Sequence, residues 1–154
     1  MKILILSVGR PERSPFAPIF DDYAARIRKF GVALDARFVP EVEAGSRYSD
    51  AHVREREARA IEEALPPRAR LVAFDPVGSS LTSEQFAARL EGWATPLAAF
   101  VVGGPLGLDP ALRAKASAVV SLSAMTLPHD LARVVAVEQI YRGLTILRGV
   151  PYHK

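Results

Sequence analysis

At 154 residues, 49% of them hydrophobic and 24% charged, the chain has the size and composition of one folded domain with its own core, which excludes a disordered or low-complexity protein. It has no cysteine, which excludes a disulfide scaffold, a thiolate metal site and a cysteine nucleophile. A net charge of +3 is compatible with a polyanionic partner but too small to identify one.

The chain opens with one lysine and an apolar run that breaks at Gly9-Arg10-Pro11. This is too short for a signal-peptide core with its cleavage region and reads as a strand over residues 3–8, apolar throughout as in a strand buried on both faces. Over residues 14–29, Phe16, Ile19, Phe20, Tyr23, Ala24 and Ile27 recur at helical spacing. Ser14 suits a cap, Pro15 a first turn and Gly31 a stop, so a helix is expected. Residues 32–39 put Leu34, Ala36 and Phe38 on one face and Asp35 and Arg37 on the other before Pro40, the pattern of a half-exposed or edge strand. Residues 41–50 have no period and read as a loop.

Residues 52–65 interleave Arg54, Arg56 and Arg59 with Glu55, Glu57, Glu62 and Glu63 and close at Pro66-Pro67, as a solvated surface helix would. A buried strand is expected over 70–74, a helix over 82–93 capped by Thr82, and another buried strand over 97–102 running into Gly103-Gly104-Pro105. Asp109-Pro110 starts a short helix to Lys115. A strand over 119–122 and a long helix over 128–147 follow, then a tail over 148–154. No stretch approaches the ~18 uninterrupted apolar residues of a membrane span; the apolar run after Leu131 is cut by Arg133, Glu138 and Arg142. Strands alternating with helices predict an α/β fold, a mostly parallel sheet with helices on both faces.

In such a sheet, ligands bind outside the carboxyl ends of the strands, which directs attention to the segments after Phe74, Val102 and Leu122. Glycines at 103, 104 and 107 suit either tight turns or close approach of a ligand to the backbone. No Gly-x-Gly-x-x-Gly follows the first strand and no Gly-Lys-Ser/Thr follows a glycine loop, so nucleotide phosphates are disfavoured. The segment Leu122-Ser123-Ala124-Met125-Thr126-Leu127 is uncharged and rich in free backbone groups, which suits a neutral heterocycle; Leu122, Met125 and Leu127 equally suit core positions.

Four stretches in order carry a more specific signal: Val101-Val102-Gly103-Gly104-Pro105-x-Gly107-Leu108, Leu122-Ser123-x-Met125-Thr126-Leu127-Pro128-His129, Glu138-Gln139-x-Tyr141-Arg142 and Pro151-Tyr152-His153. With the opening strand and Phe74-Asp75, they make the whole chain resemble the ribosomal RNA large subunit methyltransferase H family, enzymes of the SPOUT superfamily. The resemblance implies a C-terminal trefoil knot, a homodimer and a cytoplasmic address. It also implies S-adenosylmethionine-dependent N3-methylation of a pseudouridine in the helix 69 stem-loop of 23S ribosomal RNA on the assembled ribosome. Neither a membrane nor a metal is implied. The family's cofactor contacts fall on Phe74, Gly103, Leu122, Ser123, Ala124, Met125, Thr126 and Leu127. Leu106, where relatives commonly have glutamate, and Ser79, where they often have lysine, depart from the pattern, so neither receives an essential charge.

Transfer of a methyl group to N3 also requires loss of the imide proton, with a base or a nearby cation to assist. Arg142, Tyr152 and His153 are the candidate catalytic residues. Arg142 alone would read as an ion pair with Glu138, and the last residues of a chain as a frayed tail. His129, Arg10 and Arg13 are expected on the RNA side, although His129 at a helix start also reads as a neutral structural histidine. Surplus apolar residues on the last helix, among them Leu131, Val134, Val135, Val137, Ile140, Leu144 and Leu147, point to a twofold dimer. The competing readings are a non-catalytic RNA-binding module of the same fold and a generic nucleotide-binding α/β protein.

Overall fold

The structure is a computed structural model describing residues 1–43 and 47–154; the loop expected over 41–50 falls partly outside the described residues. Its centre is a five-stranded sheet, every pair parallel, in the order β2-β1-β4-β3-β5. The strands are β1 (Lys2–Val8), β2 (Ala33–Val39), β3 (Arg70–Ser80), β4 (Ala98–Val102) and β5 (Ala118–Ser121). The helices are α1 (Ala17–Lys29), α2 (Asp50–Ala64), α3 (Ser83–Trp93), α4 (Pro110–Lys115) and α5 (His129–Leu147). No helix among the described residues is long and apolar enough to cross a membrane.

Successive strand residues feed opposite sides of the sheet, which explains the unbroken apolar runs. Ile3, Ile5, Phe74, Phe100 and Val102 join one core with Phe20, Ile27, Phe86 and Leu90 of α1 and α3 and Val137, Ile140 and Leu144 of α5. Leu4, Leu6, Ala73, Ala99 and Val101 join the other with Ala58 and Ile61 of α2 and Leu112 of α4. Helices therefore cover both faces, as the alternation of elements predicts. β2 is an edge strand with Asp35 and Arg37 exposed, as its mixed pattern predicts.

Three details differ from expectation. Ser14 does not cap α1: its Oγ accepts from the Phe16 N–H at 3.2 Å, a single 3-10 turn fills Pro11–Arg13, and Phe16 is the N-cap. The segment after Phe74 is a continuation of β3, because Val120 of β5 aligns first with Phe74 and then with Ser79 across a register shift. At Gly78 the two strands approach so closely that a Cβ would lie 2.7 Å from backbone atoms of Val119 and Val120. Finally, much of the apolar surplus of α5 goes into its own core, leaving Leu131 and Val135 half-buried and Leu147 exposed. Arg133, also on α5, is buried with its guanidinium 5.1 Å from the Phe20 ring centroid and 5.0 Å from that of Phe38. Burial lowers its pKa, and the two aromatic faces offset part of that desolvation cost.

Candidate active site

The carboxyl ends of β4 and β5 and the middle of β3 converge on a cleft of about 520 Å³. Its walls are residues 74–76, the turn from Val102 to Leu108 except Leu106, residues 122–123 and 125–129, and Ala132 on α5. Asp75 pins the first wall: its Oδ1 accepts from the Val77 N–H at 3.1 Å, and its Oδ2 pairs with Arg113 Nη1 of α4 at 2.9 Å. In the second wall the Gly107 N–H donates to the Gly104 carbonyl at 3.0 Å, folding residues 103–107 back so tightly that a Cβ on Gly103 would meet the Gly107 carbonyl carbon at 2.9 Å. In the third, Ser121 Oγ donates to the Ser123 carbonyl at 3.0 Å while Ser123 Oγ accepts from the Met125 N–H at 3.0 Å. Short side-chain bonds of this kind hold a loop in shape without regular structure.

Behind the glycine turn stands Glu57, which is 3% exposed although its helix reads as a solvated one. It points inward, accepts from the Val42 N–H at 3.1 Å, and lies 3.0 Å from where a Cβ on Gly104 would be. Desolvation pushes its pKa up, partly opposed by the Val42 hydrogen bond.

Of the residues expected at the cofactor, Phe74, Gly103, Leu122, Ser123, Met125, Thr126 and Leu127 line this cleft, whereas Ala124 is not among its lining residues. Phe74 is mainly a core residue, stacked on Phe100 with ring centroids 5.6 Å apart, and Leu122 packs against the same core. Met125 is 78% exposed, so the core reading does not apply to it. His129 lines the cleft at the first residue of α5, its Nε2 3.3 Å from Asp130 Oδ1. Arg10 and Arg13 lie exposed after β1 and are not lining residues.

Arg142, Tyr152 and His153 come together elsewhere. Glu138 is the hub: Arg142 Nη2 and Nε donate to its Oε1 at 2.6 and 3.1 Å, and the Tyr152 hydroxyl donates to the same oxygen at 2.9 Å. Tyr152 meets the Tyr23 hydroxyl at 3.2 Å and carries the Arg142 guanidinium 4.7 Å above its ring. His153 Nδ1 is 3.4 Å from Arg142 Nη1 and its Nε2 is 2.8 Å from Glu84 Oε1. Because a guanidinium only donates, Nδ1 is the acceptor and Nε2–H faces Glu84. The Glu138 hydrogen bonds raise the Arg142 pKa; burial, then Tyr23 and Glu138, raise that of Tyr152. The tail is tied down, with the Val150 N–H donating to the Thr145 carbonyl at 2.9 Å. Asp75 and Glu138 stand within motifs that the sequence carries, but nothing local marks Glu57, Glu84 or Tyr23, whose contacts arise only through the fold.

Within one chain these two groups are apart. The cleft reaches the first turn of α5, and at ~1.5 Å rise per residue Arg142 lies about 20 Å further along the helix than His129. Among the described residues no cluster of three or more His, Asp or Glu side chains could hold a metal.

Glu84 offers a check on the tail. Its own backbone N–H, then His153 and the Thr82 hydroxyl, hold its carboxyl down at about 2. These contacts favour the ionised form, so their contribution is complete above the ordinary carboxylate range and is lost as pH falls through about 2. In His153→Ala, the Glu84 carboxyl resonance should titrate at higher pH than in the parent; an unchanged midpoint means the tail does not dock on α3.

Residues 1–153 match the family model described as "Predicted SPOUT methyltransferase". The chain is 41% identical over 156 residues to the ribosomal RNA large subunit methyltransferase H of Anaeromyxobacter sp. (strain Fw109-5), with all of both chains covered. It is 43% identical over 156 residues, again with both chains wholly covered, to the protein of that name from Gemmatimonas aurantiaca. The Rhodopseudomonas palustris protein of that name is 42% identical over 160 residues, covering all of this chain and 99% of its own. Full-length similarity at this level, together with a parallel sheet carrying a loop-walled cleft at its carboxyl end, shows that the chain belongs to the SPOUT methyltransferases and, within them, to the ribosomal RNA large subunit methyltransferase H family.

Proposed function

We propose that this protein methylates ribosomal RNA: with S-adenosylmethionine as donor, it modifies N3 of a pseudouridine in the helix 69 stem-loop of 23S ribosomal RNA on the assembled ribosome. It does so as a single-domain, cytoplasmic homodimer. The observation that carries the reading is the cleft. Its walls are apolar at Phe74, Leu122 and Leu127, its polar groups are backbone amides with the side chains of Asp75, Ser123, Thr126 and His129, and among the described residues no lysine or arginine lines it and no glycine-lysine loop stands there for phosphates. That set fits an uncharged adenine ring and a short sulfonium-bearing chain, with Gly103 leaving room for the backbone to approach the ligand.

When bound, S-adenosylmethionine supplies a methyl group on a sulfonium centre. The protein's part is to bring N3 and that carbon within about 3 to 3.5 Å in line, and to manage the imide proton. Arg142, held by Glu138, presents a fixed positive charge that favours the deprotonated ring. Tyr152 offers an aromatic surface for the base, and Nδ1 of His153 is an acceptor nitrogen within the same group. The distance of about 20 Å along α5 is bridged by a second copy: pairing through the half-exposed Leu131 and Val135 face brings the tail of one protomer to the cleft of the other. The trefoil knot belongs to this reading.

Neither Leu106 nor Ser79 is among the residues lining the cleft, so those departures from the family pattern leave its walls intact and remove the main support for a non-catalytic module. Calorimetric titration should give micromolar binding of S-adenosylmethionine and S-adenosylhomocysteine and none of NAD. Gly103→Ala should abolish that binding, because the added methyl forces the turn open. Absence of cofactor binding by the unaltered protein would sink the reading.

A further inference from the structure

The outer side of α2 carries an exposed group of flat and cationic side chains that the site above does not use. The Tyr48 and His52 rings stack with centroids 4.7 Å apart, and the Arg56 guanidinium lies 4.9 Å over the Tyr48 ring. Next to them His52, Arg56, Arg59 and Glu63 border a shallow hollow of about 380 Å³. In sequence the arginines are interleaved with glutamates; in three dimensions two of those glutamates are spent elsewhere. Glu57 is turned into the core against Gly104, and Glu62 is paired with Lys115 of α4 at 2.5 Å. Among the described residues neither Arg56 nor Arg59 makes an ion pair, and both are exposed.

The topology puts this group at the same end of the molecule as the cleft. β2 runs parallel to β1 and ends at the carboxyl edge; α2 starts there and returns to the opposite edge, where β3 begins. Tyr48 and His52 are thus at the cleft end of α2. Glu57, on the inner side of the same helix, touches the cleft turn, so the group lies about one helix width, ~10 Å, from the cleft wall.

We infer that this face of α2 is a second contact surface for RNA: an unpaired base stacks on the Tyr48–His52 pair while Arg56 and Arg59 bind the flanking phosphates. Unpaired bases stack on aromatic and guanidinium planes whatever their identity, and neighbouring arginines track the backbone. The inference rests on the proposed activity only in taking the polyanion to be ribosomal RNA.

The test uses Tyr48→Ala, Tyr48→Phe and the double variant Arg56→Ala/Arg59→Ala, with large ribosomal subunits and a uridine homopolymer as probes across a salt series. Tyr48→Ala should weaken binding to both probes roughly ten-fold, Tyr48→Phe should restore it, and the double variant should lower the salt slope by about 1 per arginine. Thermal midpoints and S-adenosylmethionine affinity should not change. Unchanged binding of both probes by all variants overturns the inference, as does weakened subunit binding with the homopolymer unaffected, which would assign the face to a ribosomal protein. Cofactor affinity, measured on the same preparations, reports separately on the methyltransferase reading.

Discussion

His153→Ala is expected to slow methyl transfer to ribosomes by roughly 10²- to 10⁴-fold, the range for loss of a positioned proton-handling group, while leaving S-adenosylmethionine affinity close to that of the parent. The two effects separate because His153 contacts Arg142 and Glu84 and no cleft-lining residue of its own chain. Arg142→Ala should behave similarly and in addition cost Glu138 both guanidinium bonds, leaving it those from Tyr152 and Gln139. Single-turnover transfer of a labelled methyl group reads the rate, and calorimetry reads the affinity. Co-expressing His153→Ala with Gly103→Ala chains should restore part of the activity, since a mixed dimer would combine one sound cleft with one sound tail. Loss of cofactor affinity in His153→Ala, or no recovery in mixed dimers, would place the tail and the cleft in a different relation.

Gly78→Ala should be the most damaging single-methyl change in the fold. Its Cβ would lie 2.7 Å from three backbone atoms of Val119 and Val120, and backbone, unlike the end of a flexible side chain, cannot swing aside. Either β3 or β5 must move, at a cost of roughly 3 kcal/mol or more, which for a chain of this length corresponds to a fall in thermal midpoint of about 10 °C. The matched control is Gly92→Ala near the end of α3, where nothing beyond its chain neighbours and its own helix backbone lies within 4 Å of the added methyl. There the smaller entropy cost of alanine should stabilise by about 0.5 to 1 kcal/mol. Scanning calorimetry of the two variants gives the comparison directly; equal midpoints would mean that β3 and β5 do not approach each other closely at Gly78.

Much of the architecture is legible one segment at a time. The runs at 3–8 and 97–102 have no alternation because both faces of β1 and β4 are buried, and the capping box of Thr82 and Gln85 marks the start of α3. The strand ends that carry the cleft walls follow from the same alternation of elements, and the glycines at 103 and 104 mark a turn. Local pattern fails where a residue answers to a distant partner. Glu57 sits among charges and reads as solvated, yet it is buried because the Val42 amide and the glycine turn need an acceptor and a filler there. Gly78 reads as a loop glycine, yet the passage of β5 demands it.

The sequence by itself determined the α/β class, the strands and helices to within a few residues, and which strand ends carry the loops, because burial and periodicity are properties of short stretches. It also carries the four motifs that mark the family. Only the tertiary structure decided the sheet order, the course of β3 past Phe74, the burial of Glu57, and the separation of the Arg142–Tyr152–His153 group from the cleft. These depend on contacts between residues far apart in the chain, such as His153 with Glu84 and Tyr152 with Tyr23, and no local pattern encodes the distance across a fold.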